Sequence, residues 1–235
     1  MQKICNKDNL KRFLIFLVIF CTICIYLFQK NTKIAVEATD SSSEYFIYID
    51  AESCYLYLFK NGEIFRTYEC ASGKNSTPSP IGNWFINKKS TWGEGFGGHW
   101  MGLSCPWGKF GIHGTTHPES IGNHASGGCI RLLNKNATEL YSIVPLGTLV
   151  TVTDGPFGQF GKGFRTIKTG MYGSDVMAVQ KRLKELKLYV GLCNGKYETR
   201  NMINAVHKFQ EQNNLKVSDM ISKEMMRKLG FFLFE

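Results

Sequence analysis

Three signatures are missing from this chain, and each absence removes a class of function. No His-Glu-x-x-His occurs anywhere in it, so the helical zinc site built on that motif is not expected. No nucleic-acid-binding motif is present, and nucleic acid is not expected as a partner. Neither Cys21 nor Cys24 stands in a Leu-small-small-Cys context, which argues against a lipoprotein. Acidic residues are also in short supply, 19 against 28 Lys and Arg, for a formal net charge of +9.

What is there begins with an apolar run from Phe13 to Phe28, broken only by Thr22. Lys3, Lys7, Lys11 and Arg12 precede it, and Lys30 and Lys33 follow. The heavier basic flank places the N-terminus in the cytoplasm. The run is short for a membrane-spanning helix, which needs about 17–25 residues, but Gln29 and a snorkelling Lys11 or Lys30 make up the length. The expectation is an anchor over residues 1–30, with everything beyond it on the outer face of the cytoplasmic membrane. The alternative is a cleaved signal peptide with a weak site at Val36-Glu37-Ala38, which would make the protein secreted. Lys30 and Lys33 lie between the run and that site and argue against cleavage. Residues 31–44, polar and containing Ser41-Ser42-Ser43, read as a spacer.

Residues 45–153 read as a mainly β domain, sandwich or barrel-like, with one helix. Phe46–Ile49, Cys54–Phe59 and Ile64–Cys70 are rich in aromatic and β-branched residues, and Asn61-Gly62 is a hairpin turn. Further strands are expected at Trp84–Ile86, Phe110–His113 and Leu149–Thr153. A helix is expected with Asn136 as its N-cap and Glu139 completing a capping box, and to stop at Pro145 and Gly147. Residues 154–164 hold four glycines and a proline and read as a linker. From 165 to 235 the apolar period becomes helical: Val176, Val179, Leu183 and Leu186, then Met202, Val206 and Phe209, then Met225 and Leu229. Three short helices make a small bundle there.

Five of the eight cysteines lie beyond the N-terminal run: Cys54, Cys70, Cys105, Cys129 and Cys193. Five is odd, so at least one stays unpaired within the chain. Cys54 and Cys70 flank the expected hairpin at nearly equal distances, which leaves a bridge open. Scattered reduced core thiols are the better expectation, because Cys packs as a small hydrophobe.

The candidate chemistry lies in Gly111-Ile112-His113-Gly114-Thr115 and Ser126-Gly127-Gly128-Cys129-Ile130-Arg131. Cys129 is a candidate nucleophile and His113 its candidate base; Gly127 and Gly128 leave space for a carbonyl near backbone N–H groups. If residues 129–131 are extended, Cys129 and Arg131 share a face, so that Arg131 can hold a thiolate or a substrate carboxylate. His first and Cys second is the reverse of the papain-like order. His117 follows His113 at i+4, but Gly114 and Pro118 oppose a helix there, so no metal is expected. His124 stands five residues before the thiol, and the simplest reading is a loop histidine.

His-Gly-Thr followed by Ser-x-Gly-Cys-Ile-Arg resembles the YkuD-type L,D-transpeptidases, with the Thr77-Pro78 and Gly82 turn as a further match. Gly127 departs from the pattern, standing where most of that family carries His. The resemblance implies a β-rich catalytic fold and no cofactor. It implies that Cys129 attacks a peptidoglycan stem peptide and that the Gly114 carbonyl orients His113. It also places Ser126 and the N–H groups of Gly128 and Cys129 at the reaction centre. Residues 165–235 resemble the peptidoglycan-binding domain type 1, through Gly170, Asp175-Val176, Gln180, Leu183, Gly195, Tyr197, Ala205-Val206 and Phe209-Gln210, with departures at Lys187, Asn194 and Glu198. The expected partners are therefore stem peptides and glycan, with the membrane held by the N-terminal run. The expected activity is 3→3 cross-linking through a Cys129 thioester. An L,D-carboxypeptidase and a non-catalytic wall-binding protein are the alternatives.

Overall fold

The computed structural model describes residues 44–91, 93 and 97–233. The expected anchor at 1–30 and nearly all of the spacer at 31–44 lie outside the described residues. Among the described residues, no helix is long and apolar enough to cross a membrane.

Residues 45–235 make one compact unit. Its first part is a mainly β, barrel-like sheet. Strand β1 (Tyr45–Asp50) pairs antiparallel with β2 (Tyr55–Lys60), and β2 with β3 (Glu63–Glu69). Alternation puts Ile47 and Ile49 of β1 and Leu56 and Leu58 of β2 in the core, as period-two patterning demands. Asn61 and Gly62 both take positive φ between β2 and β3, the backbone that a two-residue hairpin turn needs and that Asn-Gly tolerates best.

On the other side β1 pairs in parallel with β10 (Leu149–Thr153), which pairs with β5 (Gly82–Thr91). Then come β6 (His99–Leu103), β7 (Gly111–Gly114) and β9 (Ile130–Leu132). Strand β6 was not expected from sequence, because its residues follow a glycine-rich stretch without alternating polarity. A minor pair is formed by β4 (Ser72–Gly73) and β8 (His124–Ser126). The two ends of the eight-stranded sheet meet at one antiparallel bridge, Ala71 to Arg131. Each N–H donates to the other's carbonyl, at 2.8 and 2.9 Å.

Helix α1 (Asn134–Ile143) covers β6, β7 and β9 and buries Ala137 and Leu140. Its N-cap is Leu133, three residues before the expected cap, so Asn136 is inside its first turn and forms no cap. Glu139 makes no capping box and instead accepts from Arg66 of β3 at 2.9 Å. The reason is tertiary: β9 runs almost directly into the helix, and Asn134 is held by the loop after β7. Lys89 of β5 donates to the Tyr141 and Val144 carbonyls at 2.6 and 2.8 Å, satisfying the helix's C-terminal end.

The second part holds α2 (Ser174–Glu185), α3 (Arg200–Gln212) and α4 (Lys223–Lys228). Thr199 and Ser222 cap α3 and α4 by accepting from the Met202 and Met225 N–H groups. Ile167, Val176, Val179, Leu183, Met202, Val206 and Met225 form its core, with Tyr197 completely buried among them. Within 154–164, Gly158–Phe160 makes a 3-10 turn, and Phe160 packs edge-on against Phe164 and Phe231. The two parts also touch directly. Met177 of α2 packs on the barrel core, and Trp107 of the barrel part lies against Gly195.

Gly195 has φ of +71°, and a Cβ there would meet the Trp107 ring at 2.3 Å. Gly147 has φ of +84° but open space around it. Gly195→Ala is therefore expected to combine backbone strain with a clash, and Gly147→Ala to carry strain alone, of order 1–3 kcal/mol. Urea unfolding should show the larger loss for Gly195→Ala; equal losses would mean that Trp107 moves aside at no cost.

Candidate active site

Parallel pairing of β7 with β9 sets the site. The register puts His113 opposite Arg131 and Ile112 opposite Ile130. Both isoleucines are fully buried, so His113 and Arg131 point to the other side of the sheet. There they line a cavity of about 330 Å³ with Thr115, Thr116, Ser126 and Cys129. His113, Cys129 and Arg131, separate in sequence, are thus brought to one cavity, with Gly114, Ser126 and Gly127 around them.

His113 is 6% exposed and stacks on Trp100 of β6, ring centroids 5.4 Å apart. Its Nδ1 lies 2.5 Å from the Gly114 carbonyl oxygen. A carbonyl can only accept, so the proton is on Nδ1, and Nε2 carries the lone pair. Gly114 is itself held from behind: a Cβ there would meet Asn134 Oδ1 at 2.5 Å and the Gly97 carbonyl at 2.7 Å. Asn134 Oδ1 also accepts from the Thr115 N–H at 2.7 Å. Asn134 and Trp100 are positioning residues that the sequence reading missed. Trp100 lies on the unexpected strand. An Asn at the start of the helical run was the available signal for Asn134, but the reading placed the helix start at Asn136.

The thiol end is organised by Ser126. Its hydroxyl donates to the Cys129 carbonyl at 2.6 Å and accepts from the Gly128 N–H at 2.9 Å. In this state the Gly128 N–H is directed at Ser126 rather than at a substrate oxygen. The Ser126 carbonyl accepts from the Lys74 N–H and Thr77 Oγ1, each at 3.1 Å, which ties the loop to β4 and the turn after it. Gly128 has φ of +113°, and a Cβ would run into the Phe110 ring at 2.6 Å. Gly127 differs: its Cβ would meet nothing within 4 Å. A Cβ at this position is therefore not excluded by its surroundings.

Burial sets the resting charges. It pushes the Cys129 thiol above its ordinary 9.0, against opposing help from the Gly111 backbone N–H and the Arg131 charge. It pushes His113 below its ordinary 6.5, the Gly114 hydrogen bond opposing and Arg131 adding to the effect. The resting pair is thiol and neutral imidazole, not thiolate and imidazolium. Cys70 and Cys105 are also pushed up by burial, Cys105 to about 12.

The other histidines do not join this pair. His124 accompanies Ser72, its Nδ1 2.6 Å from Ser72 Oγ, while Ser72 Oγ donates to the Ala51 carbonyl at 2.8 Å. His117 lies at the rim beside Glu119, 3.2 Å away. Among the described residues no group of His, Cys, Asp and Glu is arranged to hold a metal, and none of the described cysteines is in a disulfide.

The family model for YkuD, the L,D-transpeptidase catalytic domain, matches residues 44–152. YkuD of Bacillus subtilis (strain 168), by name a candidate L,D-transpeptidase, is 46% identical over 98 residues, covering 41% of this chain and 58% of that protein. YqjB of the same strain, named in the same way, is 29% identical over 125 residues, covering 46% of this chain and 71% of that protein. The catalytic domain of an E. faecium L,D-transpeptidase aligns with a TM-score of 0.42 at 26% identity, over 48% of this chain and 98% of that one. The chain thus spans less than two thirds of the length of the YkuD relative.

Two measurements test the site's physics. The rate of Cys129 alkylation by iodoacetamide should rise with a midpoint above pH 9.0; a midpoint near 7 would show a thiolate pair instead. Gly127→His should leave the unfolding free energy within about 0.5 kcal/mol, as for neutral surface changes. Gly128→Ala should destabilise measurably, since it adds strain and a ring clash.

Proposed function

We propose, from the match of residues 44–152 to the family model for the YkuD L,D-transpeptidase catalytic domain, that this protein is exported and cross-links peptidoglycan through a thioester on Cys129. The observation that carries the reading is one cavity holding Cys129, Arg131 and a His113 whose tautomer is set by the Gly114 carbonyl. That tautomer presents a basic nitrogen, which is what a neutral thiol needs in order to react.

The steps follow from these charges. Cys129 Sγ attacks the carbonyl carbon of the third residue of a tetrapeptide stem, and its proton passes to His113 Nε2. Negative charge gathers on the carbonyl oxygen, beside the backbone N–H groups at 128 and 129; the Gly128 N–H joins when it leaves Ser126. His113 then gives its proton to the departing D-Ala amine, and the thioester remains. An amine from a second stem attacks the thioester, His113 takes the amine's proton, and the thiol is restored as the new amide forms. Arg131 pairs with a substrate carboxylate. Water in place of the amine gives an L,D-carboxypeptidase by the same steps.

The N-terminal run is assigned to anchoring at the outer face of the cytoplasmic membrane, and residues 165–235 to holding the wall. The support for the first is the charge-flanked apolar run, and for the second the resemblance of the helical part and the net charge of the chain. The packing of Trp107 and Met177 across the two parts means that 165–235 also covers barrel surface.

Cys129→Ala should abolish cleavage of a disaccharide tetrapeptide, and a carbapenem should add one mass adduct to the native chain and none to this variant. His113→Ala should lower turnover at least about 10²-fold, the low end for acid–base catalysis. His117→Ala and His124→Ala should retain most of it. Mass spectrometry of the products separates cross-linked stems from tripeptide; an adduct on Cys54 or Cys105 would overturn the assignment of the nucleophile.

A further inference from the structure

A second cavity, about 350 Å³, lies where the barrel meets the helical part, between the turn at 75–81 with Trp107 and the segment 154–175. It is as large as the catalytic cavity and within the range of small-molecule sites. Its charges cancel in pairs. Lys162 lies 3.6 Å from Asp154. Arg165 clasps Asp175 through two bonds, 2.6 and 3.0 Å, and also donates to the Tyr172 carbonyl. A charged ligand would have to break one of these pairs, so the lining favours a neutral one.

Ser79 and Ser174 are hydrogen-bonded within the protein, which leaves two amides and a phenol among the polar side chains. The side-chain amides of Asn75 and Gln159 are exposed and make no hydrogen bond to another described residue. Tyr172, 49% exposed, adds an aromatic ring and a hydroxyl to the lining. Planar amides and an open aromatic ring suit a neutral ligand that carries an amide and hydroxyls on one side and C–H groups on the other. An N-acetylated hexosamine has that make-up.

The position of the cavity matters as much as its lining. The turn at 73–81 lines the second cavity and is hydrogen-bonded to the loop that lines the first. One side of it holds the catalytic loop, through Lys74 N–H and Thr77 Oγ1 on the Ser126 carbonyl, and the Pro78 carbonyl lies against Gly128. The other side, with Asn75 and Pro78 to Ile81, lines the second cavity. We propose that this junction cavity binds an N-acetylated sugar of the glycan strand, so that the stem peptide attached to that strand reaches Cys129 across one turn. This rests on the cross-linking reading above and adds a sugar subsite built jointly by the barrel and the helical part.

The test uses the full chain in detergent, with N,N′-diacetylchitobiose as a neutral, peptide-free probe. Cys129→Ala protein should bind the probe as native protein does. Tyr172→Ala and Gln159→Ala should each weaken binding at least about fivefold, and should raise KM for a disaccharide tetrapeptide by a similar factor with kcat unchanged. KM for the sugar-free tetrapeptide should stay at the native value. Cleavage of both substrates with no probe binding at millimolar concentration would overturn the subsite and leave the cross-linking reading intact. An equal rise in KM for the two substrates would overturn it too, since it would signal a distorted catalytic loop. Probe binding that depends on Tyr172, in a protein that cleaves neither substrate, would support the subsite and refute the cross-linking reading.

Discussion

Two hydrogen bonds between Ala71 and Arg131 close the barrel, and the active site depends on that closure. Strand β9 has three residues, too few to be held by one neighbour. It is fixed from one side by the parallel ladder to β7 and from the other by Ala71, at the end of the long β3 hairpin. The residue at the closing bridge is the same Arg131 that lines the cavity with His113 and Cys129. The backbone bond that seals the sheet therefore also sets the direction of a charged side chain. The β4–β8 pair continues this clamp one step further, placing Ser72 beside His124 and Gly73 beside Ser126.

A closed, buried setting has an electrostatic consequence. Removing Cys129 and His113 from water disfavours both of their charged forms, and Arg131 cannot offset that for both, because it favours a thiolate and opposes an imidazolium. The pair rests neutral. In the proposed reaction, charge appears only as the thiol attacks and its proton moves to His113, when Arg131 and the backbone donors have developing charge to stabilise. Ser126 contributes order in the resting state by holding both the Gly128 N–H and the Cys129 carbonyl.

The helical part is bound into this arrangement rather than hung beside it. Gly195 allows Trp107 to approach the backbone, and Met177 extends the barrel core. The stretch at 154–164, glycine-rich in sequence, supplies Phe160 and Phe164 to the second core. Its glycines mark turns in a packed connection: Gly158 and Gly161 both have positive φ, at the two ends of a 3-10 turn.

Strand positions with alternating apolar residues, the Asn61-Gly62 turn and the three C-terminal helices were legible in the sequence, because period and turn chemistry are local properties. The His113 and Cys129 motif was legible for the same reason, its glycines and order being written in short segments. Strand β6 was not, since its residues do not alternate, and with it went Trp100 as the partner of His113. The start of α1 was misplaced because Asn134 and Glu139 are taken by Thr115 and Arg66, contacts between distant segments. The sequence by itself determined the order and spacing of the candidate reactive residues and which glycines could turn the chain. Tertiary structure alone decided the barrel closure at Arg131, the neutral resting state of the thiol and imidazole, and the cavity at the junction. Each of these depends on burial and on pairing between segments far apart in the chain, quantities that no local pattern encodes.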